Sequence, residues 1–166
     1  MKIINTSVYN DETVEKLVEF ACQGINMEDV SVEVKPKDPR MKDVVGYAYY
    51  SCIQIFMPFV ESYPIHNLIE YPVKRKIKPG EVVWVKGKPK TSGVVHSVEQ
   101  RPYGKNSPYI RCENWKEFLV STAAHEAKHI YFYEHNTQHN GDDELESACE
   151  KHSSMRLNYY REQNEF

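Results

Sequence analysis

At 166 residues the chain has the length of one domain with a single sizeable core. Its formal charge of −3, with 40% hydrophobic and 12% aromatic residues, is that of an ordinary globular protein and excludes a general attraction to nucleic acid or anionic membrane. No apolar run approaches transmembrane length, and Met1-Lys2-Ile3-Ile4-Asn5-Thr6 lacks the core of a signal peptide, so a cytoplasmic domain without membrane partners is expected.

In chain order, residues 2–6 predict a short strand, and Asn10 or Asp11 caps a helix through Val14, Leu17, Val18 and Ala21 that ends near Gly24. Val30 to Val34 alternates as a strand, and 36–42 is a charged loop. From Val44 to Pro58 both alternations are apolar or aromatic, which predicts one central strand covered on both faces.

Residues 58–112 form a β-rich insertion, long for a minimal domain. Lys78-Pro79-Gly80-Glu81 has type II turn chemistry, so Leu68 to Ile77 and Glu81 to Lys86 are expected to pair as a hairpin, with a further strand over 93–98 in which His96 is structural. Lys74, Arg75, Lys76, Lys78, Lys86, Lys88 and Lys90, with Trp84 among them, make the hairpin basic. Such a surface either tracks phosphates beside an aromatic base platform or protects a sheet edge with solvated lysines, and the second reading is preferred. Cys22, Cys52, Cys112 and Cys149 are scattered without a Cys-x-x-Cys pair and read as reduced, mostly buried thiols. No Gly-x-Ser-x-Gly elbow is present, against a serine hydrolase.

Asn114 and Glu117 have capping-box spacing ahead of Trp115, Phe118, Leu119, Thr122, Glu126, His129, Ile130 and Tyr133, which predicts a helix over about 114–134. Within it, His125 and His129 lie one turn apart on one face and can offer ring nitrogens to one tetrahedral Zn²⁺. Glu126 stands beside that face, where a carboxylate can serve as general base towards a zinc-activated water. The bland alternative is an amphipathic helix whose histidines only pack.

The third ligand must come from elsewhere. His135 sits where a metzincin pattern places its last histidine, but Phe132 occupies the position where that pattern needs a glycine turn. Glu146 is the stronger candidate. After a polar break over 135–141, a second helix should begin near Asp142 or Asp143 and run through Tyr159, with Leu145, Ala148, Cys149, His152, Met155 and Tyr159 as its buried stripe. On it Glu146 and Glu150 share a face, so that the first can bind zinc while the second holds a ligand histidine through its free N–H. Asp143 and Glu146 also have capping-box spacing, the structural alternative for Glu146. Glu144, His139, His152 and Cys149 are minor candidates for the third ligand.

His125-Glu126-x-x-His129 followed by Glu146-x-x-x-Glu150 resembles the gluzincin branch of zinc metallopeptidases over about residues 114–160. The resemblance implies that His125, His129 and Glu146 bind Zn²⁺, that Glu126 is the general base, and that Glu150 takes the place of the family's aspartate. It further implies an α+β, minimal zincin-like domain spanning 1–166, with a mixed or antiparallel sheet packed against an N-terminal helix, the motif helix and a C-terminal ligand helix. A peptide or protein substrate would lie along an edge strand, and Tyr131, Tyr159, Tyr160 or His152 would stabilise the oxyanion. Ala127 and Lys128, where the family carries a large apolar and an uncharged residue, and the longer Glu150 are departures. Two other readings stand beside it: a non-catalytic module braced by zinc, and a protease acting on DNA-bound proteins through the hairpin 74–90.

Overall fold

The computed structural model describes residues 1–38, 40, 45–59, 65–67, 70–85, 88–99, 110–135 and 143–164. Alternation builds the principal sheet. β1 (Lys2–Asn5) runs parallel to β2 (Ser31–Pro36), β2 parallel to β4 (Cys52–Met57), and β3 (Gly46–Tyr49) antiparallel to β4, in the order β1-β2-β4-β3. Val32, Val34, Ile53 and Ile55, fully buried, turn one face of this sheet into the core. The opposite face is polar in part, with Gln54 donating to its cross-strand neighbour Glu33 at 3.0 Å.

α1 (Asp11–Ala21) connects β1 to β2 and starts as expected, the Asn10 side chain accepting the Thr13 N–H. Val14, Leu17, Val18 and Ala21 enter the core. The single strand expected over 44–58 is instead two strands, joined through Tyr50 and Ser51, with Tyr50 at φ 48°. The aromatic composition conceals the turn because Tyr47, Tyr49 and Tyr50 are 53%, 54% and 62% exposed. They pack on one another and on Tyr133 rather than under a second layer; the Tyr50 ring lies 5.0 Å from that of Tyr133.

A second, smaller sheet contains β6 (Glu70–Lys76), β7 (Val83–Val85), β8 (Lys88–Lys90) and β9 (Val94–Glu99) in the order β6-β9-β7-β8, over a core of Ile77, Val83 and Val95. β5 (Ile65–Asn67) pairs with β10 (Ile110–Cys112). The turn at Lys78–Glu81 forms with Gly80 at φ +80° and the Glu81 N–H on the Lys78 carbonyl at 3.1 Å. The hairpin expected across it does not. Ile77 donates to the Gly93 carbonyl at 2.9 Å, which commits β6 to β9, and the two arms of the turn are joined by the Arg75–Glu81 ion pair at 2.7 Å instead. β8, at the end of this sheet, carries Lys88 and Lys90 in solvent. Lys86 lies outside the described residues.

α2 (Trp115–Glu134) is capped by Asn114, whose side chain accepts from the Lys116 and Glu117 N–H groups. Glu117 reaches one residue further back than a capping box requires, accepting from the Glu113 N–H at 2.8 Å. From Glu117 to Ala124 every residue is buried, since α2 packs on β3 and β4, α1 and α3 (Asp143–Asn164).

The inward stripe of α3 differs from the expected one. Met155 and Tyr159 are 57% and 45% exposed, whereas Cys149, Glu150, Ser153 and Leu157 are buried. The helix is turned so that its polar side chains meet polar partners on α2: Ser153 donates to the Ser121 carbonyl at 2.8 Å, and Arg161 clamps Glu117 at 2.7 and 3.0 Å. The molecule is thus a mixed α+β fold in which α2 and α3 meet beside the edge strand β3. Among the described residues, no helix is long and apolar enough to cross a membrane.

Candidate metal centre

The i, i+4 spacing on α2 brings the His125 and His129 Nε2 atoms to 3.2 Å from one another. α3 adds Glu146, whose carboxylate oxygens lie 3.4 Å from His125 Nε2 and 3.3 Å from His129 Nε2. These separations have a chemical meaning. An ion with tetrahedral bonds of about 2.0–2.1 Å holds its nitrogen and oxygen ligands about 3.3–3.4 Å apart along each edge. Cys149, fully buried one turn after Glu146, is a further donor near the two histidines; its sulfur and the two histidine ligand atoms all lie within 4.8 Å of one another. His125, His129 and Cys149 could therefore hold a metal ion.

The charge balance points the same way. Glu126 and Glu150 are buried and the Glu146 side chain is 22% exposed, so three carboxylates gather around two imidazoles. Lys128 does not neutralise them, for its ammonium sits 3.7 Å from the centre of the Tyr131 ring as a cation–π contact. Buried negative charge of this density needs a cation. In the bare protein His125 takes that part. Burial disfavours a charged His125, but Glu146, Glu150 and Glu126 outweigh it and raise its pKa well above the usual value. Burial likewise opposes ionisation of Glu146, yet His125 and His129 hold it down to about 2.

Glu150 Oε1 lies 2.8 Å from His125 Nδ1, the nitrogen turned away from Glu146. The angles miss hydrogen-bond geometry, so the contact is ionic in distance without being a well-formed hydrogen bond. The ring is thus oriented with Nε2 towards the cluster and Nδ1 towards Glu150. Glu126 is held from the other side. A Cβ added to Gly46 at the start of β3 would fall 2.4 Å from Glu126 Oε1 and 2.9 Å from Thr122 Cγ2, so the backbone of the edge strand lies directly against this carboxylate. Burial raises the Glu126 pKa, the nearby histidines pulling it down less strongly. An ionised carboxylate in such surroundings is a stronger base than one in water.

The other expected candidates lie elsewhere. His135 donates Nδ1–H to the Tyr131 carbonyl at 2.7 Å and stacks on the Tyr131 ring, serving the end of α2 rather than the cluster. His139 and the side chain of Glu144 fall outside the described residues. Burial, with Lys128 and Arg156 nearby, lowers the His152 pKa to about 4, and its Nε2 has no hydrogen-bond partner among the described residues. Tyr159 stacks on Phe20, whose ring also packs edge-on against Tyr160. Gly46 was the contributor least visible in the sequence, because its backbone conformation is ordinary and only proximity to Glu126 gives it a role. Compared with protein-family models, with curated proteins and with solved structures, the chain finds no match.

Proposed function

We propose that this chain is a zinc-dependent peptidase of minimal zincin-like architecture, with His125, His129 and Glu146 as metal ligands and Glu126 as general base. The reading is carried by one observation: the ring nitrogens of His125 and His129 stand 3.2 Å apart, and the Glu146 carboxylate meets each of them, Oε2 at 3.4 Å from His125 and Oε1 at 3.3 Å from His129, spacings of the size that a shared zinc ion imposes on its ligands. When bound, zinc supplies Lewis acidity to a scissile carbonyl and acidity to water. The chain's own residues do the rest. Glu150 orients the His125 ring. Glu126 accepts a proton at its carboxylate and passes it to the departing amine. Gly46 keeps the edge strand close to that carboxylate. β3, which has β4 as its one strand neighbour among the described residues, offers a free edge along which an extended peptide can add by backbone hydrogen bonds.

The zinc content of the purified protein, measured together with hydrolysis of unfolded casein, tests the proposal. Wild type should hold about one zinc per chain, and Glu126→Gln should hold the same amount while losing on the order of 10²–10⁴ in rate. A Glu126→Gln variant as active as wild type removes Glu126 from its role. A wild type that takes up no zinc removes the whole reading.

A further inference from the structure

A hydrolytic zinc site keeps one coordination position for water or substrate, and beside the ligand histidines proposed above stands a thiol. Cys149 is 0% exposed, lies three positions after Glu146 on the inward face of α3, and presents its sulfur within 4.8 Å of the ligand atoms of both histidines. Cys22, Cys52 and Cys112 belong to no such group among the described residues. Sulfur and nitrogen on a tetrahedral zinc, with bonds of about 2.3 and 2.0–2.1 Å, are roughly 3.6 Å apart, a spacing that lies inside the 4.8 Å limit within which the sulfur and both histidine atoms fall. Rotation of a cysteine between staggered wells carries its sulfur about 3 Å. A shift of that size would be enough to separate a bonded sulfur from a withdrawn one.

From this we infer that Cys149 is a fourth zinc ligand, closing the resting site built by His125, His129 and Glu146. The inference rests on the metal site proposed above and adds its regulation. Coordination exchanges the S–H proton for the ion, and the proton leaves to solvent. With four protein ligands the site is of the closed, structural kind; with Cys149 swung aside it has the three ligands and open position of a catalytic one. The same side chain thus decides between the braced module and the peptidase.

X-ray absorption at the zinc edge of the full chain, loaded with zinc and free of substrate, tests this directly. The expected wild-type spectrum contains one sulfur at about 2.3 Å beside nitrogen and oxygen at about 2.0–2.1 Å, and Cys149→Ser loses the sulfur while retaining zinc. A wild-type spectrum with nitrogen and oxygen alone overturns the inference and leaves the three-ligand site intact. A sulfur that persists in Cys149→Ser also overturns it, since the thiolate then comes from elsewhere. Failure to take up zinc at all overturns both. If the serine variant does not fold, the presence or absence of sulfur in wild type still decides the matter.

Discussion

α2 and α3 contribute to the same site in opposite ways. α2 is a central helix, buried from Glu117 to Ala124 by the sheet, α1 and α3, so its histidines sit on an element that packing alone would hold in place. α3 is peripheral. It turns Glu146, Cys149 and Glu150 inward and leaves Met155 and Tyr159 in solvent, an orientation that hydrophobic burial by itself would not choose. On α2 the site is built into the core, whereas on α3 the polar cluster sets the orientation of the helix. Strongly amphipathic helices are read from their apolar stripe; a helix that delivers carboxylates is read correctly only if the carboxylates are allowed to define the inward face.

The sharpest way to break this comparison is to remove one ligand from each helix. His129→Ala and Glu146→Ala should each weaken zinc binding by more than about 100-fold, beyond the 10–100-fold typical of losing a residue that merely orients a ligand. Titration against a competing chelator would show it. A Glu146→Ala variant that binds zinc as wild type does would remove Glu146 from the ligand set and leave Cys149 as the one candidate donor of α3 among the described residues.

The rotated stripe predicts a large asymmetry in stability. Leu157 is 2% exposed, and Leu157→Ala should cost about 2–5 kcal/mol in urea denaturation. Met155 is 57% exposed, and Met155→Ala should stay within about 0.5 kcal/mol. Equal losses would restore the stripe expected from the sequence.

A smaller effect is expected at the clamp between the helices. Burial opposes ionisation of Glu117, but Arg161 and the Glu113 N–H outweigh it and lower its pKa below the usual 4.5. The carboxylate is therefore favoured in the folded state. Its contribution is complete above the ordinary carboxylate range and is lost as the pH falls through the depressed value. Glu117→Gln should cost about 1–2 kcal/mol near neutrality, a gap that narrows in acid. A gap independent of pH would show that Arg161 contributes packing rather than charge.

Much of the candidate cluster was legible because its spacings are local. His125, Glu126 and His129 share one helix, and the Asn114 cap fixed where that helix begins. Glu146 and Glu150 were legible by the same one-turn logic on α3. Three things were hidden. The turn at Tyr50 was lost in an aromatic run because tyrosine serves an exposed stack as readily as a covered strand. The partner of β6 is a strand beyond the local turn, and turn chemistry specifies a reversal of direction without specifying which strand pairs across it. Gly46 matters through a contact with a residue far along the chain, which no local pattern encodes.

The candidate donors all fall within residues 125–150, on two helices consecutive in the chain, whereas the principal sheet must bring residues 2, 31 and 52 into register around an intervening helix. Local contacts form sooner than distant ones. A helical pair able to capture an ion would therefore take it up before the parallel strands have found one another. Metal would act on this chain as a nucleating agent as well as a stabiliser: zinc added at the start of refolding should speed the formation of native structure, while zinc added afterwards should only slow its loss.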